Sequence, residues 1–386
     1  MNITLFSIQP LELGGGWEQF LVSYAKCHLD VRPNDSIQIV SLSRELFNNV
    51  ILPLHLIYGR QLSAQTKYRL DSSHVDTQCA PVPYYRCTSL HNLKHLLSTA
   101  DVIYIKNEVF DLAYVRILLS LLRMNTPIIA GTHCAQVYPN PSSITSRSLR
   151  NYLYTSNFYY YCSTFVSAWH VMNRQSYNYI RHFHPAKPVS LVEYPFVELY
   201  APRDSTEPTP SDRAESRIVW AGRMTEQKGI PRLISIMRAL DGASLPIEWV
   251  IAGSGEDSVN LARYSPRHHR ITLLGHISQS NLYKLLSESQ IYLSTSLWES
   301  WPNLINEALH SGIQIVASDI PGHTDMLEGV PGTFLYSTVE QAVDILSTLT
   351  QRFVVRRAPW SPPRTNAQIV DQMYRTLFGL FDVRNT

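Results

Sequence analysis

Short, mostly apolar runs alternate with helical patterns through the second half of this chain, and that alternation restricts the fold more than any other feature. The runs are Arg217–Ala221, Glu248–Ala252, Ile271–Leu274, Ile291–Ser294 and Ile313–Ala317, with helical spacing from about Ile230 and again from Ser280. Runs this short and continuous suit strands buried on both faces. Strands separated by helices form a parallel sheet covered on both sides. The first half repeats the theme through Ile37–Leu42, Val102–Ile105 and Pro127–Ile129. Between the halves, 201–216 reads APRDSTEPTPSDRAES, rich in proline, serine and charge and without periodicity, which is the composition of a linker. The expectation is an α/β chain of two doubly wound domains: 1–198, a linker at 199–216, 217–350, and a C-terminal segment 351–386. In that segment Ile369, Met373, Leu377 and Phe381 recur at helical spacing.

The length of 386 residues exceeds one ordinary core and suits two. A hydrophobic content of 45% with 17% charged residues describes a globular chain, and a net charge of +2 gives no nucleic-acid signal. The five cysteines (Cys27, Cys79, Cys87, Cys134, Cys162) form no CxxC pair, which favours a reducing, cytoplasmic setting. The opening MNITLFSIQP lacks a basic leader and a cleavage site and reads as a buried first strand. The longest apolar helical run, Asp111 to Met124, is broken by Arg116 and Arg123 and is too short for the roughly 20 residues of a membrane span.

Glu299 and Glu307 bracket Glu-Ser-Trp-Pro-Asn-Leu-Ile-Asn-Glu, eight positions apart, directly after the Ile291–Ser294 strand. Leu304 to His310, closed by Gly312, reads as a helix, and Pro302 suits its first turn. The N–H groups of Asn303 and Leu304 would then face outward from the strand end, where an anion binds well. Arg223 and Lys228, in WAGRMTEQKGI, follow the first strand of the same domain. Ligands of open α/β sheets bind at the carboxyl ends of strands, so these cations suit phosphate oxygens, against the plain alternative of solvated loop charges. Glycines mark further strand ends: Gly14 to Gly16, then Gly253 and Gly255, then Gly275 before His276. They permit close backbone approach to a ligand or simply turn the chain. His133, just past the Pro127–Ala130 run, stands where a ligand contact would lie, although a lone histidine is often structural. Residues 140–181 interleave tyrosines with Arg147, Arg150, Arg174 and Arg181, which suits either packed helix and strand or contact with a membrane interface or lipid-linked acceptor. No Asp-x-Asp occurs, so the usual carboxylate pair for a metal bridging a diphosphate is missing, as are GxxxxGK[ST], HExxH and GxSxG.

The stretch from Arg217 to Tyr336 resembles the C-terminal half of family 4 retaining glycosyltransferases of the GT-B fold, through AGRMTEQKG, IAGSGED, LLGHISQSNLYKLLSESQIYLSTS, ESWPNLINEALHSG and IVASDIPGHTDML in that order. The N-terminal half matches more loosely, through the glycine run, His133 and Ser167. The resemblance implies two Rossmann-like domains facing a central cleft, an acceptor-binding N-terminal domain and a final helix returning to it. It implies that Arg223 and Lys228 grip the diphosphate of a nucleotide-sugar donor, with Gly222, Gly253, Gly255, His276 and Ile277 lining the donor site. Glu307 would hold the ribose, while Glu299, Asn303 and Leu304 would meet the sugar and its phosphate. Gly15 or Gly16 would bring amides to the phosphate, and His133 would touch the sugar. Tyr194 to Glu198 and Asp325 depart from the family's usual Asn-Gly-Val-Asp and Glu, and Ser-Trp-Pro after Glu299 from its usual Phe-Gly, which leaves the sugar open.

The expected activity is hexosyl transfer from a UDP- or GDP-sugar to an acceptor hydroxyl, with no metal and no further cofactor. The acceptor is a glycan, a lipid-linked group or a small molecule, and peripheral contact with the inner face of a membrane is a further expectation. Two other readings stay open: a non-catalytic nucleotide-sugar-binding partner protein, and a sugar-nucleotide epimerase of similar architecture.

Overall fold

A computed structural model describes residues 1–8, 16–46, 82–107, 109–132, 157–193, 216–299, 301–351 and 365–382. The chain divides into two compact units, Met1–Pro195 with Arg364–Thr386, and Phe196–Pro363. Of the linker expected at 199–216, residues 199–215 lie outside the described residues, as do Gly14, Gly15 and His133, while Ser216 begins a strand.

Unit 1 is a seven-stranded sheet built from β1 (Asn2–Ser7), β2 (Ser36–Leu42), β3 (Tyr84–Cys87), β4 (Val102–Lys106), β5 (Ile128–Thr132), β6 (Ala168–Val171) and β7 (Val189–Leu191). Their order is β3-β2-β1-β4-β5-β6-β7 and every pairing is parallel. Helices α1 (Gly16–Val31), α2 (Leu90–Ser98), α3 (Val109–Leu122), α4 (Asn157–Ser163) and α5 (Arg174–Phe183) connect them. The apolar runs form strands because both faces are covered: Phe6, Val40, Ile103, Ile105 and Trp169 share one core with Leu112, Leu118 and Ile180 from the helices.

Unit 2 contains β8 (Ser216–Ala221), β9 (Ile247–Ala252), β10 (Arg270–Gly275), β11 (Ile291–Ser294), β12 (Gln314–Ser318) and β13 (Thr333–Tyr336), in the order β10-β9-β8-β11-β12-β13 and parallel throughout. Its helices are α6 (Ile230–Gly242), α7 (Ser258–Ala262), α8 (Gln279–Ser287), α9 (Asn303–Ser311), α10 (Pro321–Leu327) and α11 (Val339–Gln351). Trp220, Trp249 and Ile251 of the sheet pack against Leu233, Met237 and Leu240 of α6. The run Ile271–Leu274 is a strand, but an edge strand, and Leu273 and Leu274 are exposed. In this strand order the direction of winding reverses between β8 and β11, and the crevice of such a sheet opens at that reversal, beyond the carboxyl ends of the two strands.

The last helix, α12 (Asn366–Thr376), belongs to unit 1. Thr365 and Gln368 form a reciprocal capping box at its start. Its buried stripe of Ile369, Val370 and Met373 lies toward α1, where Tyr24 stacks on Phe378 at 5.7 Å and the Arg32 guanidinium sits 3.3 Å from the Tyr374 ring centre. The α-helix ends at Thr376, earlier than the spacing to Phe381 suggests. A tighter 3-10 turn over Phe378–Phe381 follows and buries Phe378 instead.

Candidate active site

The loop after β8 and the loop after β11 flank the reversal point of unit 2, and their backbones are interlocked. The β8 loop ends in a 3-10 turn, Glu226–Lys228, closed by Gly229 at φ 68°. Only glycine adopts that conformation cheaply, and a Cβ there would also lie 2.1 Å from the Thr295 carbonyl oxygen of the other loop. Thr295 donates its hydroxyl to the Lys228 carbonyl (2.7 Å) and receives the Trp220 indole N–H (2.9 Å), while the Leu297 N–H donates to the Gln227 carbonyl (2.8 Å). Gln227 and Lys228 are thereby fixed opposite Glu299.

The two side chains use that placement. The Lys228 ammonium is ion-paired and hydrogen-bonded to Glu299 Oε1. Gln227 Nε2 donates to the Trp298 carbonyl (3.2 Å) and to Glu299 Oε2 (3.4 Å), and the Ser296 hydroxyl donates to Glu299 Oε1 (2.9 Å). Burial alone would raise the Glu299 carboxyl, but the Lys228 charge and hydrogen bond, with His323 and Ser296, outweigh it and hold it below the ordinary carboxylate range. Arg223, on the same loop, is exposed.

Glu307 lies just over one turn into α9. Gln279, the first residue of α8, donates its amide to Glu307 Oε1, and burial pushes this carboxyl up to about 7. The two glutamates are thus in opposite electrostatic states, one held ionised by a cation and the other poised near neutrality. Pro302 is the N-cap of α9, at ψ 114°, one position before the helical turn expected for it, and it carries no capping side chain. Pro302 thus gives no side-chain hydrogen bond to the amides that begin α9, those of Asn303 and Leu304. Gly312 closes the helix at φ 73°.

Gly253 and Gly255 are accounted for by packing within the protein. A Cβ on Gly253 would meet the Gly222 carbonyl oxygen at 1.8 Å, and one on Gly255 the Met224 carbonyl oxygen at 2.3 Å. The Gly222 N–H donates to the Ala252 carbonyl (3.0 Å) and the Gly253 N–H to the Gly275 carbonyl (2.6 Å), which laces together the ends of β8, β9 and β10. His276 follows this edge and is exposed, and Ile277 is half-buried. Gly16 starts α1 in unit 1.

Motif reading missed the residues behind the pair. His323, fully buried, accepts from the Ser294 hydroxyl at Nε2 (3.2 Å) and donates from Nδ1 to the Ser318 carbonyl (2.8 Å). Burial lowers its pKa to about 4, so it is neutral at physiological pH. Ser318 in turn donates its hydroxyl to the Ser296 carbonyl (2.5 Å), so the β12 end braces the loop that carries Glu299. Gln279 and Gln227 were equally hidden, because their partners are 28 and 72 positions away. Among the described residues, no three of His, Cys, Asp and Glu gather as a metal-ligand set.

Residues 215–352 match the family model described as Glycosyl transferases group 1. The phosphatidylinositol N-acetylglucosaminyltransferase GPI3 subunit of Saccharomyces cerevisiae is 27% identical over 135 residues, which covers 34% of this chain and 30% of that protein. The gpi3 subunit of the same enzyme from Schizosaccharomyces pombe is 23% identical over 176 residues, covering 44% of this chain and 38% of the relative. The match thus spans well under half of these relatives' length. Among solved structures, sucrose-phosphate synthase from Thermosynechococcus elongatus superposes with a TM-score of 0.63 at 14% identity, covering 98% of this chain and 99% of that one. Anabaena HepE in complex with UDP-glucose gives 0.62 at 15% identity, covering 100% and 98%. The chain therefore has the fold of the GT-B glycosyltransferases, and its segment 215–352 carries the sequence pattern of group 1 glycosyl transferases.

Proposed function

We propose that the protein is a retaining, metal-independent glycosyltransferase that moves a hexosyl unit from a nucleoside diphosphate sugar to an acceptor hydroxyl in glycan, polysaccharide or glycoconjugate synthesis. The observation that carries this reading is the Lys228–Glu299 pair at the reversal point of the unit 2 sheet, just before the N-terminus of α9. An ammonium has three donors, so Lys228 can keep Glu299 and still meet a phosphate oxygen. Arg223 and the amides of Asn303 and Leu304 add positive potential to the same end of the sheet. Glu299 then accepts from sugar hydroxyls and Glu307 from the ribose, with the nucleotide lying past Gly222 and along the His276–Ile277 loop.

In the reaction, the bond from the anomeric carbon to the diphosphate oxygen breaks and leaves its electron pair on that oxygen. The acceptor oxygen bonds to the same face of the sugar, and its proton passes to the leaving diphosphate. Stabilisation of the departing charge by Lys228 and Arg223 acts in the transition state, where a preorganised donor contributes about 3–4 kcal/mol, or 10²- to 10³-fold. The HepE complex contains UDP-glucose and the matched transferases are named for N-acetylglucosamine. These names support a UDP-sugar first and a GDP-sugar second. We place the reaction on the cytoplasmic side, with peripheral contact to the membrane's inner face, on a glycan, lipid-linked or small-molecule acceptor.

The test is release of nucleoside diphosphate from a panel of UDP- and GDP-sugars. Arg223→Ala and Lys228→Ala each abolish it, and excess EDTA leaves the wild type active. Wild-type-like release by both variants overturns the assignment, and sugar conversion without an acceptor would favour the epimerase.

A further inference from the structure

Between Asp111 and Glu193 the sequence contains no acidic residue, although the chain has 31 of them, and it contains seven Lys or Arg. A chain of net charge +2 therefore carries its whole cationic excess in this stretch of unit 1 and is net acidic elsewhere. Within it, α4 is split by side. Tyr159 and Cys162 are buried, whereas the adjacent Tyr160 and Tyr161 are 46% and 61% exposed.

These two rings are held in place from below. The Arg116 guanidinium of α3 lies 4.3 Å from the Tyr161 ring centre and donates to the Tyr161 carbonyl and to the Thr164 hydroxyl (2.6 Å). Lys187 donates to the Thr164 carbonyl (2.6 Å) and to that of Val166. Tyr160 stacks on His184 at 5.3 Å, and His184 is itself stacked on the buried Trp169 and hydrogen-bonded to Ser163 (2.8 Å). Arg181 and His182, both exposed, close α5 immediately before His184.

We infer that this face of unit 1 seats the protein on an anionic lipid surface, with Tyr160 and Tyr161 at headgroup depth and the surrounding cations against lipid phosphates. A tyrosine ring is apolar with a polar tip and partitions to the boundary between water and hydrocarbon. The exposed Arg181, one turn before His184 in a stretch of sequence without acids, is attracted to an anionic leaflet. No helix among the described residues is long and apolar enough to cross a membrane. Contact by this face is therefore superficial. Aromatic and basic residues also suit single-stranded nucleic acid. That alternative is disfavoured because Arg116 and Lys187 are engaged by carbonyls at the end of α4 and line no charged groove, which leaves the aromatic pair with Arg181 at its margin.

The inference rests on, and gives a surface to, the peripheral contact proposed above. The experiment is co-sedimentation of the full chain with phosphatidylcholine vesicles, with or without about a third phosphatidylglycerol, at low and high salt. Binding is expected only to the anionic vesicles and is released by salt. The Tyr160→Ser/Tyr161→Ser double variant binds at least about tenfold more weakly and Arg181→Gln about fivefold, with melting temperatures unchanged. Failure of the wild type to sediment with anionic vesicles overturns the inference. So does equal binding by the double variant, or binding of an oligonucleotide that anionic vesicles do not displace. Vesicle binding is read without donor or acceptor, so its failure and the failure of sugar transfer are separate results.

Discussion

Replacing Glu307 by Gln should stabilise the protein at alkaline pH and leave it nearly unchanged in acid. Burial raises this carboxyl from an ordinary 4.5 to about 7 in the folded chain. Below 4.5 the group is protonated whether the chain is folded or not, and it costs nothing. Between 4.5 and 7 the unfolded chain releases the proton while the folded chain keeps it, so stability falls as pH rises. Above 7 the folded protein carries the full cost, about 3 kcal/mol at 1.36 kcal/mol per unit. Glutamine removes the titration, and its carbonyl can still accept from Gln279. Urea denaturation of both proteins at pH 5 and pH 8, followed by tryptophan fluorescence, reads the gap, and Trp220 and Trp249 report on the unit 2 core. The variant's advantage should grow by roughly 2–3 kcal/mol between the two pH values. An unchanged gap, or a wild type favoured at pH 8, would refute the burial argument.

The same carboxylate gives a ligand prediction: if it accepts from the ribose when ionised, nucleotide affinity falls as pH drops from 8 to 6, by up to about tenfold per unit, and calorimetry in two buffers detects proton release on binding. Glu299→Gln breaks the charge pair with Lys228. It should lower stability by about 2 kcal/mol at pH 7, and the gap should close in acid, because a depressed carboxylate pKa gives stability that is lost as the group protonates. Gly229→Ala combines a left-handed φ with a Cβ 2.1 Å from the Thr295 carbonyl. It should cost roughly 2–4 kcal/mol in denaturant titrations and reduce turnover by displacing Lys228. Thr365→Ala removes the α12 capping box and should cost about 1 kcal/mol while leaving nucleotide affinity unchanged, which makes it the control for stability loss alone.

The strands and helices of unit 2 were legible because their signals are local. Ile291–Ser294 is apolar on both faces, Gly312 supplies the left-handed cap, and Gly229 closes the turn before α6. What stayed illegible was order across the sheet. Nothing in ITLL marks β10 as an edge strand or its two leucines as exposed. The site divides in the same way. Lys228 and Glu299 were each readable as strand-end residues, but their pairing spans 71 positions and depends on β8 lying beside β11. Gln279 and His323 lie inside the matching stretches with no role attached to them, because only the fold brings them to Glu307 and to the loop of Glu299. The glycines after β9 were open to ligand approach or to a plain turn, and what the sequence did not reveal is how tightly the loops pack on one another there.

The most direct test of the central claim is nucleoside diphosphate release by the wild type and by Arg223→Ala, whose side chain is exposed. The donor is the UDP- or GDP-sugar that raises the melting temperature most. The account predicts release by the wild type in excess EDTA and a loss of about 10²-fold or more in the variant at unchanged melting temperature. Equal release by the two proteins, or no stabilisation by any nucleotide sugar, would contradict it.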